Sequence, residues 1–162
     1  MAATITATKL IRVAPGTLWK KWRELSRWSA WQPETAEARW LEGKPWSDGS
    51  TFMLLRRTPY GALRWLPGAG ARRFTGRVLS TADEQLLVWE LTPMAASWFG
   101  PLVVESVRLD PAPGGTTISL TLSAHGLGPT LLSPFLSGPL RAQAGATLNG
   151  LQREVAPAER RL

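Results

Sequence analysis

The stretch RVAPGTLWKKWRELSRWSAWQPE, residues 12–34, decides how this chain is read. Pro15 and Gly16 can open a helix, because proline is tolerated in a first turn. Trp19 and Trp22, with Leu18 and Leu25 less regularly, give the spacing of a short amphipathic helix. Ser26 is placed to cap a second short helix, in which Trp28 and Trp31 lie one turn apart and Pro33 stops the run. With Trp40 included, residues 19–40 hold five of the nine tryptophans. Side chains this large and this close together are expected to support and line a cavity. Trp19 and Trp22 would pack the first helix onto a sheet, and Trp28 and Trp31 would wedge the second under a later helix.

On either side of this stretch the period is two. Residues 3–13 read as a strand ending at Ala14-Pro15. Over 35–41, Ala36, Ala38 and Trp40 share one face while Glu37 and Arg39 share the other. Gly43 and residues 45–49 punctuate. Phe52 and Leu54 then alternate with Thr51, Met53 and Leu55. Residues 58–70, with Pro59, Gly61, Pro67, Gly68 and Gly70, read as a long loop. Phe74, Gly76 and Val78 alternate with Arg73, Thr75 and Arg77; Leu87, Trp89 and Leu91 alternate with Val88 and Glu90. A strand around 102–109 is joined through the turn 111–115 to 116–124, the clearest hairpin in the chain. From 129 to 155, Leu132, Leu136, Leu140, Ala144, Leu148, Leu151 and Val155 form one apolar stripe of a helix. Pro134 and Gly138-Pro139 are expected to kink or break its front end. Strands that follow one another through turns make the sheet antiparallel and the fold class α+β.

That order, with RVAPGTLWKKW at 12–22, W..WQPE at 28–34, LEG at 41–43, GSTF at 49–52, PAPGGTTISLTLS at 111–123 and the closing helix, resembles the START-like (SRPBCC) superfamily, in particular its polyketide cyclase/dehydrase group. The resemblance runs over nearly the whole chain and implies a helix-grip: a curved antiparallel sheet wrapped around a long C-terminal helix, with two short helices after the first strand. It implies a cavity between sheet and helix, and lipids, sterols, polyketides or other apolar molecules as ligands. It implies no common catalytic residue.

Bulk composition agrees with one domain spanning residues 1–162. The chain is 44% hydrophobic, enough for a substantial core in a single unit of this length. It has no cysteine, which removes disulfides, thiolate metal sites and a cysteine nucleophile and fits a reducing cytoplasm. The N-terminus lacks the pattern of a signal peptide and no run approaches a membrane span, so stable membrane insertion is not expected. The net charge of +7, carried by 15 arginines and 4 lysines, could attract anions, but the helix or strand motifs of specific nucleic-acid binding are missing.

Alternation assigns an inner face to Trp40, Phe52, Leu54, Phe74, Val78, Trp89 and Leu91, with Leu132, Leu136 and Leu140 opposite them on the helix. Trp40, Trp89 and Trp98 read equally as pocket lining or plain core. Gly76 would leave room, or mark a bulge. Glu105, between Val103 and Val107, points a carboxylate into the cavity if that face is concave and is then an acid–base candidate; the alternatives are a strand end, a register one step off, or a salt bridge to an arginine. Glu90 faces away from Trp89. Arg56 continues the Phe52–Leu54 face and begins a basic run with Arg57, Arg64, Arg72, Arg73 and Arg77. With Tyr60 and Trp65, that run is either a docking site for an anionic head group or a solvated face. His125, the only histidine, falls on the Thr/Ser side of its strand and is expected to be exposed. No metal-ligand set, nucleophile elbow or glycine-rich phosphate loop occurs, so no metal or cofactor is expected.

Three functions follow. The leading one is binding or transport of a hydrophobic small molecule, with a homodimer left open. The second is a cyclase, aromatase or dehydratase of polyketide-like substrates, with Glu105 and Arg56 handling protons and charge. The third is a regulatory or partner-binding module that uses the basic 56–77 region.

Overall fold

The computed structural model describes residues 3–57, 73–94 and 102–159, with the backbone alone at 3, 127–136 and 158–159. Strand β1 (Ala3–Ile11) leads through Pro15, the first residue of α1 (Pro15–Arg23), into a 3-10 turn (Leu25–Arg27) and α2 (Trp28–Trp31). Six strands follow: β2 (Thr35–Glu42), β3 (Thr51–Arg56), β4 (Arg73–Ala82), β5 (Leu86–Pro93), β6 (Leu102–Ala112) and β7 (Gly115–His125). Helix α3 (Leu127–Glu159) closes the order. The strands form one antiparallel sheet in the order β1-β7-β6-β5-β4-β3-β2. Every strand after β2 pairs with its predecessor, and β1 closes on β7, as expected where short turns dominate. The arrangement is the helix-grip that the sequence implied.

Two local expectations are corrected. Ser26 caps nothing: the 3-10 turn runs straight into α2, and no side chain caps the helix at Arg27. The prolines do not break the last helix, which runs through Pro134 and Gly138-Pro139 as one element.

The inner face of the sheet is covered in two ways. Helix α3 lies over β1 and β7, and its stripe is buried from Leu140 through Ala144, Leu148, Leu151 and Val155. Over β3 and β5 the cover is aromatic. Trp28 contacts Phe52 and Trp89, Trp22 contacts Trp89, and Trp46 contacts both Phe52 and Trp89. Trp22 and Trp31 meet edge to face at 4.9 Å and 84°, and Trp40 meets Trp46 in the same way at 5.2 Å. Such pairs contribute about 0.5–1.5 kcal/mol each beyond buried area. Filling this part of the hollow with rings is therefore a stable alternative to leaving it open.

Gly76 has its own role in that packing. It sits in regular register, opposite Phe52 on β3 and Leu91 on β5. The Phe52 ring occupies the place where a Gly76 side chain would stand. The glycine thus makes room for Phe52, and the register shift of β4 lies further on, between Val78 and Ser80.

Candidate functional site

Arg56 ends β3 on the face of Phe52 and Leu54, as alternation predicted, and its guanidinium is buried. Glu105 lies on the buried face of β6 between Val103 and Val107. The two meet: Arg56 Nη2 donates to Glu105 Oε1 at 2.6 Å, with side-chain exposures of 6% and 8%. Trp89, directly opposite Glu105 across the β5–β6 ladder, donates its indole N–H to Oε2 at 3.1 Å. Both oxygens of Glu105 are thereby engaged. The salt bridge to an arginine, one of the readings of this residue, is present.

Three residues outside the sequence-derived set complete the cluster. Glu34, between α2 and β2, places Oε2 3.5 Å from Arg56 Nη1, and its side chain is 30% exposed. Gln143 of α3, with its amide oxygen turned to Arg56, accepts from both terminal guanidinium nitrogens, at 3.3 Å from Nη2. Gln32, which ends α2, accepts from the Thr35 hydroxyl at 2.8 Å. The guanidinium also lies 5.7 Å from the centre of the Phe74 ring. Burial pushes the Glu34 carboxyl above its usual range; Arg56 opposes the rise and Glu105 adds to it.

The cluster encloses a void of about 10 Å³ lined by Trp22, Gln32, Glu34, Arg56, Glu105, Leu120, Leu122, Gln143 and Thr147. That is room for one water-sized group. Its walls come from α1, the end of α2, β3, β6, β7 and α3. The void is thus mainly polar, whereas an apolar hollow was expected. The buried indole N–H of Trp22 has no hydrogen-bond partner among the described residues.

The other expected lining residues are placed as follows. Phe52, Leu54, Phe74, Val78, Trp89, Leu91 and Leu140 are buried in the core, and Trp40 is half-buried against Trp46 and Phe52. Leu132 and Leu136 belong to α3, with side chains outside the described residues, and Trp98 lies outside them altogether. So do Tyr60, Arg64, Trp65 and Arg72. Arg73 and Arg77 are exposed on the outer face of β4, opposite in direction to Arg56. Arg57 is exposed and holds the carbonyls of Ser29 and Pro33. Arg56 is therefore withdrawn from the outer face on which Arg73 and Arg77 are exposed. Glu90 faces away from Trp89 and His125 is exposed, both as expected, and Glu90 stands 3.9 Å from Arg77.

Among the described residues, no group of His, Cys, Asp or Glu is arranged to hold a metal ion, and no helix is long and apolar enough to cross a membrane. Glu34 and Gln143 were missed because neither follows an apolar alternation. Glu34 directly after Pro33, at the point where helix gives way to strand, was the one available signal.

Comparison with known proteins bears on this geometry. The profile of the family described as polyketide cyclase/dehydrase and lipid transport matches residues 2–156. A START superfamily protein from Mycobacterium smegmatis superposes with a TM-score of 0.71 at 13% identity, over 96% of this chain and 98% of that one. The Zhui aromatase/cyclase from Streptomyces sp. R1128 gives 0.71 at 15% identity, over 96% and 94%. Ara h 8.0201 gives 0.68 at 13% identity, over 97% and 99%. At such identities the likeness shows the fold. No curated protein sequence matches the chain.

Proposed function

We propose that this chain, which belongs to the polyketide cyclase/dehydrase and lipid transport family, binds or carries an apolar small molecule whose polar end is held at Arg56. The observation that carries the reading is the buried Arg56–Glu105 pair, which opens onto a void between sheet and closing helix. A buried ion pair is weak as a source of stability, since apolar side chains of the same volume usually serve a core as well or better. Its presence is better explained by a polar group that it receives. Trp22, Leu120 and Leu122 supply apolar wall beside it. An occupant larger than the void needs α3 and the sheet to part near Gln143. The contact that yields is that between Gln143 of α3 and Arg56.

Native mass spectrometry of the purified protein, followed by a panel of fatty alcohols, sterols and aromatic polyketides, tests this. Bound apolar molecules should raise the melting temperature and shift emission from the tryptophans beside the void. A panel without effect, together with a ligand-free native mass, would defeat the reading.

A second reading, an acid–base step on a polyketide-like substrate, is favoured by Glu34. Glu105 has both oxygens engaged, whereas Glu34 is partly exposed and holds its proton more tightly than an ordinary carboxyl. An enzyme would lose turnover in Glu34→Gln while keeping affinity; a carrier would show no turnover in either form.

A further inference from the structure

We propose that the group received at Arg56 is a single neutral oxygen, a hydroxyl or a ketone, and that the site rejects carboxylates. This rests on the binding function proposed above and names the chemical class of its ligand.

Charge is the first argument. The single positive charge of Arg56 is matched by Glu105 at 2.6 Å, with both side chains withdrawn from solvent. Glu105 is held in place a second time by the indole of Trp89. A second carboxyl, Glu34, already stands at the other terminal nitrogen of Arg56. An incoming carboxylate would bring a further negative charge into a buried cluster whose one cation among the described residues, Arg56, is already matched. Desolvating an unmatched charge is far more costly than burying a hydrogen-bonded neutral group. Like charges placed side by side add to that cost.

Size is the second argument. The void beside Arg56, about 10 Å³, seats one oxygen of a head group, and the rest of the ligand lies where α3 and the sheet part.

The third argument is the supply of donors. The void is lined by Trp22, whose buried N–H lacks an acceptor among the described residues, and by the hydroxyl-bearing Thr147. A ketone oxygen accepts from such groups. A hydroxyl both accepts from them and donates to Gln32 or to an ionised Glu34.

The expectation raised by the basic run, an anionic head group greeted by arginine, is therefore inverted at Arg56. The guanidinium serves as a neutralised hydrogen-bond donor.

The test compares dodecanol, the matching methyl ketone and dodecanoic acid, at about pH 7.5, by tryptophan emission and calorimetry. The chain length is constant, so only the head differs. The alcohol and the ketone should bind about tenfold or more tighter than the acid, a difference of about 1.4 kcal/mol. Glu105→Gln leaves Arg56 without its matching charge and should move the preference toward the acid. If that variant does not fold by circular dichroism, Glu34→Gln, which keeps the buried pair intact, should narrow the gap severalfold. An acid that binds as tightly as the alcohol, or more tightly, overturns the inference and leaves the binding function standing. Failure of all three to bind overturns both.

Discussion

The backbone carbonyl of Trp31, the last residue of α2, occupies the space that a side chain on Gly150 of α3 would need. Helix α2 and the closing helix touch backbone to side-chain-free backbone at that point. Trp31 is buried there, against Trp22. Alanine in a helix normally stabilises by about 1 kcal/mol relative to glycine. Gly145, five residues earlier, has nothing within 4 Å of such a methyl group. Gly145→Ala should therefore raise the denaturation midpoint. Gly150→Ala should lower it, by about 1–3 kcal/mol or more, because a carbonyl cannot rotate away as a side chain can. Urea melts of the two variants check the contrast, and the same sign for both would refute the contact.

The buried pair predicts strong coupling. Glu105→Leu alone leaves Arg56 buried beside a longer-range carboxyl, and Arg56→Met alone leaves Glu105 buried on one indole hydrogen bond. Each should cost about 3–5 kcal/mol. The double variant should cost much less than their sum. A remainder of about 1–3 kcal/mol is expected because the N–H of Trp89 loses its acceptor. A double-mutant cycle by chemical denaturation measures the coupling; additive losses would contradict the pairing.

Glu34 predicts the direction of a pH effect. Its carboxyl is raised above the ordinary value of 4.5, chiefly by burial. The folded state therefore holds this proton more tightly than the unfolded state, and stability falls as pH rises from about 4.5 through the raised folded value. Above that value the penalty is constant. Glu34→Gln removes the titration. The variant and the wild type should differ less near pH 4 than near pH 8, and the shift between the two should favour the variant at pH 8. Melting temperatures at both pH values decide it, and a shift in the opposite direction would be inconsistent with a raised carboxyl.

Gly76→Ala should be destabilising by about 1–3 kcal/mol, since the added methyl group meets the Phe52 ring. Shortening the ring in Phe52→Leu/Gly76→Ala should recover part of the loss. Thermal melts of the single and double variants test this, and a harmless single variant would show that the ring has room to move.

Much of this architecture is legible in the chain. The period of two identifies the inner faces of β3, β4 and β5, and Phe52, Leu54, Phe74, Val78, Trp89 and Leu91 are all buried. The stripe on α3 is buried from Leu140 onward. Trp46 was not legible, because it sits in a turn where no periodicity operates. It nevertheless packs against Trp28, Trp40, Phe52 and Trp89. The inner face of β2 was read one step too regularly. A register shift between Thr35 and Glu37 buries Thr35 and Ala38 and leaves Ala36 only half-buried.

The amino-acid sequence by itself determined the element order, the inner faces of β3, β4 and β5 and the family to which the chain belongs. Each of these follows from local spacing or from residues read in line. The tertiary structure alone decided what Arg56 meets. Glu105 stands 49 residues away on a strand three places removed in the sheet, Glu34 on the connection into β2, and Gln143 on the closing helix. Alternation reports that a side chain points inward. Which charges then face each other depends on strand register and on where α3 comes to rest, and both are set by packing over the whole domain.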